Sequence, residues 1–289
     1  MIKIERNNLG KISLQYLSRI KECKHRKLNP IISYYIENID SIVLALPSEY
    51  SKINGDFKKV YNYNEESFNR FKSYMANQYK IMCIKHGSWL AKEIGINTCP
   101  YCNRQYTFTI DKHKKVRPQF DHFLSKSKYP HLALSFYNLI PCCQTCNQLK
   151  SDDTKELLYP YSDGFDDKYL FEVNHKDFIL DNIPVSVKLE PIRECDEFFR
   201  IKCENTKEVF ALEELYQEHS DYIEEIIIKA YSYNEDYYEG LIDDFSKMGK
   251  TVPEIHRLIF GNYIDKANNE KRPLSKLTSD LLNQMEIKE

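Results

Sequence analysis

The chain lacks any apolar run long enough to cross a bilayer, and its mean hydropathy is -0.59. Both speak against a helical membrane protein and for a chain that works away from the membrane. Its opening residues, Met1-Ile2-Lys3-Ile4-Glu5-Arg6, have no apolar core of the signal-peptide kind, so a cytoplasmic location is expected. Internal repeats, low-complexity tracts and Gly/Ser linkers are missing too. That leaves one large domain or two smaller ones, for which 289 residues with 42% hydrophobic content suffice.

An excess of either charge is also lacking: the net value is -2, which argues neither for nor against a polyanionic partner. Its distribution says more. Between Arg104 and Lys150 only Asp111 and Asp121 oppose Lys112, Lys114, Lys115, Arg117, Lys126 and Lys128 along with the two ends. Between Ala211 and Phe245 the balance reverses, with Lys229 the sole basic residue. A basic middle segment is what a phosphate-binding surface needs, although a solvated loop reads the same way on charge alone.

Cysteine is present in an arrangement that does not suit disulfides. Nine occur in a chain expected in a reducing compartment, and five lie between Cys99 and Cys146. Cys23, Cys83, Cys195 and Cys203 are scattered and read as small apolar residues. Cys99-Pro100-Tyr101-Cys102 and Cys143-Gln144-Thr145-Cys146 form two C-x-x-C pairs. Each pair can grip one face of a tetrahedral ion, and two pairs close the site, so a structural Zn²⁺ is expected. Cys142 is one residue out of register for that grip. A redox role would leave the two pairs as labile disulfides.

The fold class expected is α+β and mostly helical. Residues 1–97 read as a helical region, with Phe71, Tyr74, Met75, Tyr79, Met82, Cys83 and Trp89 as one buried stripe and not a cofactor site. Residues 98–165 form a small core. In it, Tyr106–Ile110 and Val116–Phe120 are expected as a hairpin across the turn Asp111–Lys115, and a short helix follows Cys143. Residues 166–289 are expected to hold a small antiparallel sheet drawn from Phe178–Leu180, Val185–Leu189 and Phe198–Cys203, then helices broken at Gly261 and Pro273. Leu212, Leu215, His219, Tyr222, Ile226 and Tyr231 share one helical face, which makes His219 a packed side chain and not a ligand. His25, His86, His113 and His175 belong to no constellation.

Between the cysteine pairs run Phe120-Asp121-His122-Phe123-Leu124, then Tyr137-Asn138-Leu139, then Cys146-Asn147-Gln148-Leu149-Lys150. Asp-His at a strand end, Asn-Leu before the second pair, and Cys-Asn-x-x-Lys on a helix resemble the zinc-stapled form of the HNH (ββα-metal) endonuclease motif. The resemblance implies roles. Asp121 would bind a catalytic Mg²⁺ or Mn²⁺, His122 would activate water, Asn138 would orient that base, and Asn147, where histidine is common, would complete the metal site. The chemistry suits those residue types. A histidine can take the proton of an attacking water, and a hard ion held by oxygen ligands can neutralise a leaving oxygen. Lys126, Lys128, His131 and Lys150 are expected phosphate contacts, although solvated lysines are the commoner case and His131 could equally bind nothing.

The stretch around Asp121–Pro130, with Phe260-Gly261-Asn262-Tyr263 and Arg272-Pro273-Leu274-Ser275-Lys276-Leu277, further resembles PtuB-like nuclease subunits of Septu-type anti-phage systems, also found beside some retrons. The likeness runs from about residue 98 to the C-terminus; Ser125 departs from it, standing where proline is common. It implies an antiviral phosphodiester hydrolase acting on DNA or structured RNA and controlled by an ABC/SMC-like (PtuA-like) ATPase. The acidic, tyrosine-rich stretch 207–246 is a candidate docking surface, with an ordinary amphipathic helix as the default reading, and the retron setting would add a reverse transcriptase and its nucleic acid as partners. The rival reading is a zinc-stabilised module that binds nucleic acid or protein without cutting.

Overall fold

A computed structural model describes residues 1–22, 29–61, 64–110, 116–166, 168–192, 194–233 and 235–286. Cys23, His25 and the expected turn Asp111–Lys115, including His113, lie outside the described residues. The described chain is mostly helical with two small antiparallel sheets, and none of its helices is long and apolar enough to cross a membrane. It divides into two compact units.

One unit comprises residues 4–96 and 107–154. It opens with α1 (Leu9–Lys21), α2 (Pro30–Glu37), α3 (Ile39–Val43), α4 (Tyr50–Tyr61) and the long α5 (Glu65–Ile94). Local chemistry sets the ends of α5. Asn64 accepts from Ser67 N at 2.9 Å, Glu65 and Glu66 sit at the positive end of the dipole, and Gly95 leaves the helix at φ 64°. Phe71, Met75 and Met82 are buried, as the stripe predicts, and the Phe71 ring packs with those of Tyr35 and Phe57. Each such side chain contributes about 2–3 kcal/mol by leaving water.

Two strands follow, β1 (Gln119–His122) and β2 (Leu139–Cys142), then α6 (Gln144–Lys150). β1 pairs with β2 from Gln119↔Cys142 to His122↔Leu139. The expected hairpin of 106–110 with 116–120 is therefore corrected. Among the described residues Ile110 N still donates to Val116 O, while Tyr106 bridges Thr98 instead. Leu139–Cys142 is buried throughout and offers β1 an apolar partner.

The other unit comprises residues 1–3, 97–106 and 155–289. Its sheet pairs β3 (Tyr169–Val173) with β4 (Val187–Pro191), and α7 (His175–Asp181) lies between them in sequence. Phe178–Leu180 and Phe198–Cys203 are helical, in α7 and in α8 (Glu197–Val209), not in the sheet as expected. Three apolar residues are too few to show a period. The second stretch is claimed for a helix by Asp196, which accepts from Phe199 N at 2.9 Å.

The chain continues through α9 (Leu212–Gln217), α10 (Ser220–Ser232), α11 (Glu235–Lys247), α12 (Val252–Phe260) and α13 (Ser275–Gln284), with Gly261 ending α12 at φ 74°. Helices satisfy the edges of this two-stranded sheet. Asp280 and Gln284 of α13 accept from Phe171 N and Val173 N, and Glu213 and Gln217 of α9 accept from Leu189 N and Val187 N.

Candidate nuclease site

The first cysteine pair sits on a tight turn. Asn103 N donates to Cys99 O at 2.8 Å, Cys99 N donates to Gln105 O at 2.9 Å, and Asn103 adopts φ 49°, which asparagine tolerates. Asn103 then anchors the C-terminal segment. Its Nδ2 donates to Thr98 Oγ1 and Asn269 O, its carbonyl accepts from Leu274 N, and its Oδ1 accepts from Lys276 N. That network accounts structurally for the Arg272–Leu277 motif.

The second pair starts a helix. Cys143 caps α6, its Sγ accepting from Cys146 N at 3.4 Å, as Cys102 Sγ accepts from Arg104 N at 3.4 Å. Sulfur atoms that accept backbone N–H bonds are favoured as thiolates. Cys99, Cys102, Cys143 and Cys146 are buried, their sulfurs lie within 4.8 Å of one another, and they could hold a metal ion such as zinc. Tetrahedral Zn²⁺ bound at about 2.3 Å places its sulfurs about 3.8 Å apart, inside that limit. Cys142 stands outside the group. Burial and the nearby Asp121 carboxylate raise its thiol well above the usual range, so it stays protonated.

A pocket of about 360 Å³ lies in the unit of α1–α6, and Asp121, His122 and Asn147 all line it. Strand β1 supplies the first two and helix α6 the third. His122 is 7% exposed, with Nε2 3.1 Å from Ala133 O. A carbonyl can only accept, so Nε2 carries the proton and Nδ1 is the basic nitrogen of the neutral ring. Burial, then the Lys126 charge, holds the imidazole down to about 3, against the opposing bond to Ala133, and the ring is neutral at neutral pH.

Asn138 is fully buried. It accepts from Leu124 N at 2.7 Å and donates to Leu124 O and Leu132 O at 3.0 and 3.1 Å. It therefore pins both arms of the loop between β1 and β2, including the residue beside Ala133. The carbonyl on the imidazole belongs to Ala133. Asn147 Nδ2 donates to Gln119 Oε1 at 2.6 Å, leaving Oδ1 as its acceptor atom.

The four expected phosphate contacts divide. Lys126 and Lys128 are exposed, and Lys126 lines the pocket with its Nζ 4.7 Å above the Tyr79 ring. His131 and Lys150 are buried. His131 is 2% exposed, stacks on Phe57 with centroids 4.3 Å apart, and bonds Asn54 Oδ1 at 2.6 Å and Tyr61 Oη at 3.1 Å. Lys150 is 1% exposed and turns its ammonium onto Asp121 Oδ1 at 3.1 Å and His122 O at 2.7 Å. The stem of a lysine on the inner face of α6 reaches a buried carboxylate more readily than solvent.

Among the lining residues that sequence reasoning did not assign to the site, three stand out. Tyr79, placed in the core stripe of α5, donates to Phe120 O at 2.9 Å and sets its ring edge-on to His122, centroids 4.4 Å apart. Arg117 lies over Gly87, where a Cβ would come within 3.0 Å of its guanidinium carbon. Asp152 accepts from Ser125 Oγ, the residue standing where the resemblance leads one to expect proline. No motif marks these three; only Arg117 carried a signal, as one of the basic run.

No family model matches the chain, and no solved structure matches it. A curated relative, the Septu protein PtuB of Bacillus thuringiensis, is 36% identical over 66 residues, covering 22% of this chain and 24% of that protein. The chain thus spans about a quarter of the length of the curated relative it matches. Over that stretch the identity supports a Septu-like relationship.

Proposed function

We propose that this chain is a metal-dependent HNH endonuclease that hydrolyses phosphodiester bonds, in a Septu-type defence system under the control of an ABC/SMC-like (PtuA-like) ATPase. The observation that carries the reading is the meeting of Asp121, His122 and Asn147 at one pocket, with Arg117 and Lys126 beside them. His122 is the base: its Nδ1 takes the proton of a water as that water attacks phosphorus. Ala133 O holds the tautomer, and Asn138 and Tyr79 hold the ring and loop in place.

A bound phosphate would raise the proton affinity of that imidazole, since an anion nearby favours the charged ring. The donor set beside His122 fits a hard divalent ion, with a carboxylate from Asp121 and an amide oxygen from Asn147. Mg²⁺ or Mn²⁺ there would neutralise charge on the leaving oxygen. Arg117 and Lys126 would bind flanking phosphates of DNA or structured RNA. Zn²⁺ on the four cysteines would be structural, because four thiolates leave no open position.

The Lys150–Asp121 pair favours one rival, a zinc-stabilised binding module, because it already occupies the carboxylate. Mg²⁺-dependent cleavage of a DNA and RNA panel, with and without the ATPase, separates the two. The nuclease reading expects cutting that His122→Ala removes while zinc content is retained. Nucleic acid bound by both proteins and cut by neither would favour the binding module instead.

A further inference from the structure

Lys150 contacts both oxygens of Asp121 at 3.1 Å, and the two side chains are 1% and 4% exposed. A third contact, to His122 O at 2.7 Å, ties the same ammonium to the backbone of the catalytic strand. So buried a pair is screened little by solvent, and its attraction exceeds that of a surface pair several-fold. The other acid at the pocket, Asp152, is exposed, and its bond from Ser125 Oγ is the chief cause holding its carboxyl low, with smaller help from Ser127, Lys72 and Lys128. Arg117 and Lys126 add two further cations to the lining.

A hard divalent ion needs anionic oxygen. Here the protein offers it one buried carboxylate already matched by an ammonium, and a neutral amide, among further positive charges. A polyanion meets the opposite situation. We infer that the divalent ion and a nucleic-acid phosphate bind this pocket together, each weakly alone, because Lys150 matches the charge of Asp121 in advance. The inference rests on the proposal that Asp121 and Asn147 hold the ion.

Lys150 is then a positioning residue. It keeps Asp121 and the end of β1 in place before substrate arrives, and it makes ion occupancy conditional on the phosphate. Phosphate oxygens restore the missing negative charge, and the linkage is reciprocal: each partner raises the affinity of the other by the same factor.

The test uses full-length His122→Ala protein, which under the nuclease reading does not cut, with Mn²⁺ as the probe and free Mn²⁺ followed by electron paramagnetic resonance. Titrations run with and without a DNA duplex, and again with a structured RNA. The expected result is Mn²⁺ affinity at least tenfold tighter in the presence of one nucleic acid, and that nucleic acid at least tenfold tighter with Mn²⁺. Lys150→Met in the same background should tighten Mn²⁺ binding to the free protein and shrink the difference, with zinc content and circular dichroism reporting the fold. Since the primary comparison needs no change at Lys150, it stands even if that variant fails to fold.

Equal Mn²⁺ affinity with and without nucleic acid overturns the inference alone, provided the wild type cleaves. Mn²⁺ bound in neither state, with no cleavage by the wild type, overturns the nuclease reading and the inference with it.

Discussion

Asn138 and His122 are coupled through a loop and not by a direct bond: Asn138 Nδ2 donates to Leu132 O, and the next carbonyl, of Ala133, receives His122 Nε2. The side chain that the motif assigns to orienting the base thus acts through the backbone it anchors. Asn138→Ala would strand several buried backbone groups, and should destabilise the protein by about 2–3 kcal/mol in denaturant unfolding. Cleavage should fall at least tenfold while zinc content is unchanged. Wild-type cleavage and stability in this variant would remove the coupling.

The Lys150–Asp121 pair predicts a strongly non-additive double-mutant cycle. Lys150→Met leaves a buried carboxylate uncompensated and should cost about 3–5 kcal/mol. Adding Asp121→Asn should recover much of that loss, though not cleavage. Additive losses in urea titrations would mean that the two groups do not interact.

His131 predicts an acid-sensitive core. Burial lowers its imidazole from 6.5 to about 3. The unfolded chain therefore takes up a proton below pH 6.5 that the folded chain refuses. The stability involved is complete above pH 6.5 and is lost toward pH 3, at about 1.4 kcal/mol per pH unit. His131→Gln should flatten the pH 4–7 dependence of the melting temperature relative to wild type. Parallel curves would show that His131 is protonated in the fold.

The cysteines predict selective metal loss. Cys146→Ser should release the ion and lower the melting temperature, whereas Cys142→Ser should retain one zinc per chain by elemental analysis. Zinc lost equally from both would place Cys142 among the ligands, against its exclusion from the sulfur cluster.

What the sequence by itself determined is local. The cap at Asn64, the left-handed exits at Gly95 and Gly261, the turn at Cys99–Cys102 and the Cys143 helix cap follow from the conformational and bonding preferences of single residues. The pocket residues Asp121, His122 and Asn147 were readable because spacing within a short motif survives in one dimension. Tertiary structure decided the rest. It paired β1 with Leu139–Cys142 in place of the nearer 106–110, since burying four apolar residues outweighs proximity in sequence. It turned Lys150 and His131 inward and brought Tyr79, Arg117 and Asp152 to the pocket. Whether a lysine meets phosphate or a buried carboxylate depends on which face of its helix is covered, and that is set by packing between distant segments, not by composition or spacing.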